Sequence, residues 1–205
     1  WQFDYFYLGD AGSDVAYSGG DGDEFFQIDQ YRIQSTNYVI ERDWNHLVNH
    51  IKSCNIVINF ADLVPDLTQS RKDEMVGEAS LFRALTRFQA VQTWGEYPVV
   101  DKVVLEISGN NFAEVEPYLY PSRKPIAEVY ASIIADCEVA IAKAPASTSA
   151  PESKYRASKG AAHALLAKVY ATKPNPDWDK VIEHCDAVIN GGYSLLPILI
   201  VSPTE

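Results

Sequence analysis

The sequence predicts an all-α protein of irregular helical hairpins packed side by side, preceded by a loop-rich, aromatic leader. Three observations lead there. From about residue 38 onward, apolar residues recur every three or four positions through five long segments. Prolines fall at the boundaries of those segments, and Gly95 and Gly191-Gly192 close two of them. Residues 1–37 have a different texture, rich in Gly, Asp and aromatics, without that rhythm. The expected organisation is a leader over 1–37, a helical domain over 38–195, and the start of a missing or divergent C-terminal part over 196–205.

In the leader, Trp1, Phe3, Tyr5, Phe6, Tyr7, Tyr17, Phe25, Phe26 and Tyr31 supply aromatic surface, and Ser18-Gly19-Gly20-Asp21-Gly22-Asp23 reads as loop. Phe3 to Leu8 is either a short helix or a strand, since periodicity does not separate the two over so few residues. The first long helix carries Ile40, Trp44, Leu47, Val48, Ile51, Cys54, Ile58 and Ala61 on one stripe and ends before Pro65. The second runs from Thr68 or Ser70 to Trp94 and stops at Gly95 and Pro98. Met75, Ala79, Phe82, Leu85, Thr86, Phe88 and Val91 give it an apolar face wide enough to pack on two sides.

Val99-Val100 reads as a short extended piece, and Asn110 to Tyr120 as a polar and aromatic loop. Pro125 suits the first turn of a third helix, with Lys124 or Ser122 before it. Ile126, Val129, Tyr130, Ile133, Ile134, Cys137, Ala140, Ile141 and Ala144 keep the rhythm. Pro145 to Pro151 is a linker of small residues. Ser158 is a good N-cap for a fourth, Ala-rich helix through Tyr170. Lys173-Pro174-Asn175-Pro176 forces a turn, and a fifth helix runs from Asp177 to the Gly191-Gly192 stop. The chain therefore reads as two hairpins with a helix between them. Trp44, Leu47, Val48 and Ile51 have the spacing of a tetratricopeptide first helix. Ala84, Phe88 and Val91 reproduce steps of its second, although the connections exceed the standard repeat.

Charge removes several function classes. Seventeen basic residues face 28 acidic ones, for a net charge of −11, and seven acids precede the first cation, Arg32. Such a surface disfavours nucleic acid and anionic membranes. No apolar run is long enough to span a bilayer. Cys54, Cys137 and Cys185 are an odd set among apolar helical neighbours and read as buried free thiols. Trp44, Trp94 and Trp178 read as core. His46 and His50 stand four apart on one helix, but no intervening Glu or third ligand completes a metal motif, so they read as polar-face residues. Asp21-Gly22-Asp23-Glu24 loosely resembles a calcium loop, yet Arg32 occupies the position of the bidentate Glu. No nucleophile elbow, phosphate loop, dinucleotide fingerprint or CxxC pair occurs; no metal and no cofactor are expected.

A more specific signal is the order of several segments. Trp44-x-x-Leu47-x-x-x-Ile51-x-x-x-Asn55 resembles the first long helix of the SusD/RagB family. Gly77-Glu78-Ala79-x-x-x-Arg83-Ala84 followed by Trp94-Gly95-x-x-Pro98 resembles that family's signature stretch. Val129-Tyr130-x-x-Ile133-x-x-Asp136, then Arg156-Ala157-x-Lys159-x-Ala161-Ala162, then Gly192-Tyr193-x-Leu195 are similar to its later elements. Gly9-Asp10-x-x-Ser13-Asp14 resembles its looser leader. The likeness covers about residues 38–195 in order and spacing, and with the leader most of the chain.

The resemblance implies a non-enzymatic glycan-capture lipoprotein at the outer face of the Bacteroidetes outer membrane. Its partners would be an oligosaccharide or polysaccharide and a SusC-like TonB-dependent transporter. The membrane attachment would be a lipid anchor absent from this chain, and family members are usually more than twice this length. Trp44, Glu78, Arg83, Trp94, Gly95, Pro98 and Arg156 would be structural signature residues. Glu78 and Arg83, five apart, would each find another partner, as an ion pair or in hydrogen bonds to loop backbone. Sugar recognition needs flat apolar faces and planar polar groups. Asp14, Tyr17, Asn37 and Tyr38 in the leader and helix entry have that composition, and the loop carrying Phe112, Tyr118 and Tyr120 is a second candidate. Packing of the leader against the helices is the competing role for these residues. Two other functions compete: a helical-repeat scaffold for protein partners, from the repeat-like spacing, and a glycoside hydrolase, from the abundant acids.

Overall fold

The computed structural model describes residues 9–18, 22–146 and 155–194. Phe3 to Leu8, most of the Pro145–Pro151 linker and residues 196–205 lie outside the described residues. Among those described there are seven α-helices and no strand: α1 (Asp23–Asp29), α2 (Tyr38–Phe60), α3 (Gln69–Trp94), α4 (Phe112–Leu119), α5 (Ile126–Lys143), α6 (Lys159–Thr172) and α7 (Trp178–Ile189). None of the helices is long and apolar enough to cross a membrane.

Local chemistry sets the ends. Thr68 caps α3 by accepting from the Arg71 amide, Ser158 caps α6 from Ala161, and Asp177 caps α7 from Lys180. Pro125 precedes α5 at φ −51°. Gly95, at φ 67°, ends α3 in a conformation that a side chain resists. The helices pack in sequence, α2 on α3, α3 on α5, α5 on α6 and α6 on α7. The two-sided packing expected of the second long helix is thus observed. One continuous core joins α2, α3, α5 and α6, built on Leu47, Leu81, Ala84, Phe88, Val129, Ile133, Leu165, Leu166 and Val169. Trp44 and Trp94 pack against its margin, half-buried. A small second cluster holds Phe25 and Ile28 of α1 against Val39.

Gly77 explains why the signature stretch begins with glycine. A Cβ there would sit 2.2 Å from the Ala144 nitrogen and 2.6 Å from the Lys143 carbonyl carbon. Backbone cannot step aside as a side chain can, so α3 and the end of α5 cross in contact only without one.

Five expectations are corrected. Asn110–Tyr120 is not a loop: α4 forms there despite Pro117, with Val115 buried and Asn111 Oδ1 accepting from the Ser108 amide at 2.8 Å. The leader is not wholly irregular, since α1 follows Gly22, with Asp23 and Glu24 favourably placed at its N-terminus. Trp178 is 62% exposed and Cys185 is exposed as well. The reason is that α7 has only α6 beside it among the described helices, so one half of its apolar stripe meets no neighbour. His50 is not on a polar face; its Nδ1 lies 2.6 Å from Thr86 Oγ1 of α3, whereas His46 is exposed.

Candidate functional site

A buried charged cluster fixes the scaffold. Arg83 donates to Asp136 from Nε (2.9 Å) and Nη2 (2.5 Å) and to Asn55 Oδ1 from Nη1 (2.7 Å). Arg87 donates to Asp136 Oδ2 at 2.9 Å and also to Asp101. Asn55 Nδ2 and Asn59 Nδ2 donate to the carbonyls of Val100 (2.8 Å) and Asp101 (3.0 Å). One acid on α5 therefore bridges two arginines of α3, with Asp101 supplying the second negative charge, and the same set clamps residues 100–101 onto α2. Arg83 does find a partner outside its own helix. So does Glu78, which accepts from Arg156 Nε (2.5 Å) and Nη2 (2.6 Å). Burial pushes the nearby Tyr97 hydroxyl well up from its ordinary range.

The clamped segment walls an apolar groove of about 380 Å³ lined by Trp44, Val48, Ile51, Tyr97, Val103 and Tyr118, among others. Lys102 lies 5.2 Å over the Tyr118 ring and donates to Glu114 at 2.8 Å, fixing that edge. Tyr120 is exposed beyond the lining.

The leader builds a second concave region. Asn37 is buried there: Oδ1 accepts from the Val39 and Ile40 amides, and Nδ2 donates to the Glu24 carbonyl (2.9 Å) and Gln27 Oε1 (3.0 Å). Its amide thus caps α2 and ties α1 to it, so the residue proposed from sequence as a ligand contact is taken up inside the protein. α1 ends with the Tyr31 amide bonded to Ile28 O and the Arg32 amide to Gln27 O. This is a Schellman closure, with Tyr31 at φ 53° where glycine is usual. That conformation costs about 1–2 kcal/mol for a residue with a Cβ. The ring, 80% exposed, is tied through its hydroxyl to the Gly12 carbonyl. Asp23 is held by Gln27 Nε2 (2.8 Å) and by Arg32 (2.5 Å), the latter chiefly keeping its carboxyl below the usual range. A cation from the chain thus sits on the acid that a calcium loop would need free.

Between this tether and the end of α3 lies a cleft of about 440 Å³ lined by Tyr31, Ile33, Ile40, Gln89, Gln92, Thr93 and Trp94, with Gly9, Gly12 and Ile28. It adjoins a further cleft of about 390 Å³ bounded by Ser35, Glu41, Trp44 and Trp94. Trp44 and Trp94 meet edge to face at 5.3 Å and form the ridge between the leader clefts and the apolar groove. Gln89 is only 8% exposed, and its Oε1 has no hydrogen-bond partner. A buried amide oxygen left so costs about 1–3 kcal/mol. Asp14, Tyr17 and Tyr38 are exposed on the same leader and helix entry, but none of them lines these clefts; of the leader candidates Asn37 does, in the second. Of the six sequence candidates, Asn37 thus lies on the leader side of the tryptophan ridge and Tyr118 on the groove side. Sequence reasoning missed Gln89, whose signal was an amide inside an apolar run, and the left-handed Tyr31, which had none.

Comparison with known proteins adds the decisive observation. A SusD-like family model, described as starch-binding and associating with the outer membrane, matches residues 16–171. The chain belongs to the SusD-like family. SusD-like protein P2 of Formosa agariphila is 28% identical over 164 residues, covering 80% of this chain and 30% of that protein. Among solved structures, a laminarin-binding SusD-like protein superposes with a TM-score of 0.78 at 24% identity, covering 95% of this chain and 43% of its own. A structure described with xylogluco-oligosaccharide gives 0.74 at 21% identity, with coverages of 95% and 39%. A SusD-like protein of Bacteroides fragilis gives 0.73 at 24%, with coverages of 94% and 36%. This SusD-like chain therefore spans less than half the length of these relatives, and the expected helical architecture is the observed one.

Proposed function

We propose that this SusD-like chain is the helical part of a non-catalytic surface protein that captures oligosaccharide at the outer membrane and passes it to a SusC-like TonB-dependent transporter. The observation that carries the reading is the family match over residues 16–171, which takes in Tyr17, Tyr38, both signature tryptophans and Tyr118 and Tyr120. Two relatives of the same fold are described with laminarin and with xylogluco-oligosaccharide, which supports a glycan as the ligand class. Exposed aromatic rings beside acids and amides suit it: pyranose C–H faces lie on the rings while hydroxyls bond to the polar groups. Tyr17, Tyr38, Tyr118 and Tyr120, with Asp14, are the proposed contacts on the two sides of the ridge.

Affinity electrophoresis of the intact protein against a polysaccharide panel tests the capture step. Retardation without release of reducing ends supports non-catalytic binding, and release of sugar products would make the protein a hydrolase instead. Co-purification with a barrel encoded beside its gene tests delivery. An intact protein that binds a protein partner and no glycan would favour the repeat-scaffold function.

A further inference from the structure

We infer that Lys102 is a positioning residue: it holds the Tyr118 ring in place as a glycan-facing wall of the apolar groove and acts on the glycan through that ring. The inference rests on the glycan reading above and deepens it by assigning one wall of the site and what fixes it. Of the tyrosines proposed as contacts, Tyr118 lines the groove and is 38% exposed, while Tyr120 stands beyond the lining. Tyr118 belongs to α4, which makes only slight contact with any other helix and buries Val115 alone. Something other than helix-on-helix packing must therefore hold the ring.

Lys102 supplies that hold. Its Nζ lies 5.2 Å from the Tyr118 centroid, inside the limit of about 6 Å for a cation over a ring, and donates to Glu114 at 2.8 Å. Glu114 and Tyr118 stand four apart on α4 and so share one face, which lets a single ammonium grip both across one turn. Lys102 is itself anchored. It follows Asp101, whose carbonyl accepts from Asn59 Nδ2 at 3.0 Å and whose carboxylate accepts from Arg87. Support therefore runs from the buried charged cluster, through residue 101, to the ring. Lys102 takes one face of Tyr118, and among the described residues no second ring or cation takes the other. That face is left for pyranose C–H groups. A ring already ordered binds without the ordering cost that a loose side chain incurs on association.

The test is affinity electrophoresis of the intact protein and its variants over the polysaccharide panel, laminarin and xyloglucan included. Tyr118→Ala should weaken binding of the retarding polysaccharide about 2- to 12-fold. Lys102→Met, which keeps the stem and removes the charge, should weaken it about 2- to 5-fold. Its Tm should not move, since an exposed ion pair adds little to stability. Lys102→Arg, which returns a cation able to lie over a ring, should recover the affinity. Because Lys102 acts through the ring, adding Lys102→Met to Tyr118→Ala should weaken binding no further. Additive losses would make Lys102 a ligand contact in its own right and overturn the inference. Full affinity in Lys102→Met or in Tyr118→Ala, or a Lys102→Arg protein no better than Lys102→Met, would overturn it too and leave glycan capture standing at other residues. A panel that retards nothing would remove the capture reading and this inference together.

Discussion

Replacing Asp136 with alanine strands two guanidinium groups inside the helical stack. Asp136 is 4% exposed and accepts three charge-assisted hydrogen bonds, two from Arg83 and one from Arg87, at 2.5–2.9 Å. The counter-charge left behind is Asp101, which is half solvated and stands 3.5 Å from Arg83. Taken singly, three such bonds would sum to about 4.5–9 kcal/mol, but they are coupled, and removing one member of a buried ion pair costs about 3–5 kcal/mol. Against a typical total of about 5–15 kcal/mol that is severe. For a domain of this size it lowers Tm by about 6–20 °C. Urea or thermal unfolding followed by circular dichroism reads it directly. Converting Asp136, Arg83 and Arg87 together to leucine and two methionines should regain most of the loss, because no unpaired charge then remains buried. An Asp136→Ala protein within about 1 kcal/mol of the original, or a triple variant no better than the single one, would refute the claim that charge compensation stabilises this site.

Other perturbations have equally definite outcomes. Gly77→Ala drives a Cβ into the backbone of residues 143 and 144 and should cost about 1–3 kcal/mol or more by urea denaturation; Gly109→Ala, which meets nothing, serves as control. Burial, aided by His163, holds the His184 ring below the usual 6.5, and burial does the same for His50. Both therefore bind protons less readily folded than unfolded. Stability should be complete above about pH 6.5 and decline as pH falls through it, and a His50→Gln, His184→Gln protein should show a flatter denaturation midpoint between pH 8 and 5. A thiol reagent on the native protein should modify Cys185 alone. Cys54 and Cys137 are buried, and burial raises the Cys54 thiol to about 11 and Cys137 further. One equivalent of labelling native and three after denaturation is the expected count.

The long helices were legible because period, cap and stop agreed: Ser158 before α6, Pro125 before α5 and Gly95 after α3 each do what their chemistry dictates. α1 and α4 were not, because seven and eight residues are too few for a period to assert itself. Pro117 and the Gly-Asp run also spoke for loop. Partnerships across the stack were hidden for a different reason. Nothing in the sequence tells Arg83 that its acid lies on α5, since that pairing is made by helix crossing. Asn37 was readable in principle, standing directly before the first helical residue where amide caps belong. Its aromatic neighbour Tyr38 suggested a ligand contact instead. Around the cleft the opposite held: Gln89 and Tyr31 become informative only once one is seen without a partner and the other with a positive φ.

The cluster under α1 shares no residue with the core that runs from α2 to α6. Trimming the first thirty-odd residues would therefore take away one bank of the leader cleft while the helical stack kept its interior. Such a shortened preparation would look healthy by every spectroscopic criterion while lacking that bank, which makes a well-folded sample poor proof of an intact surface.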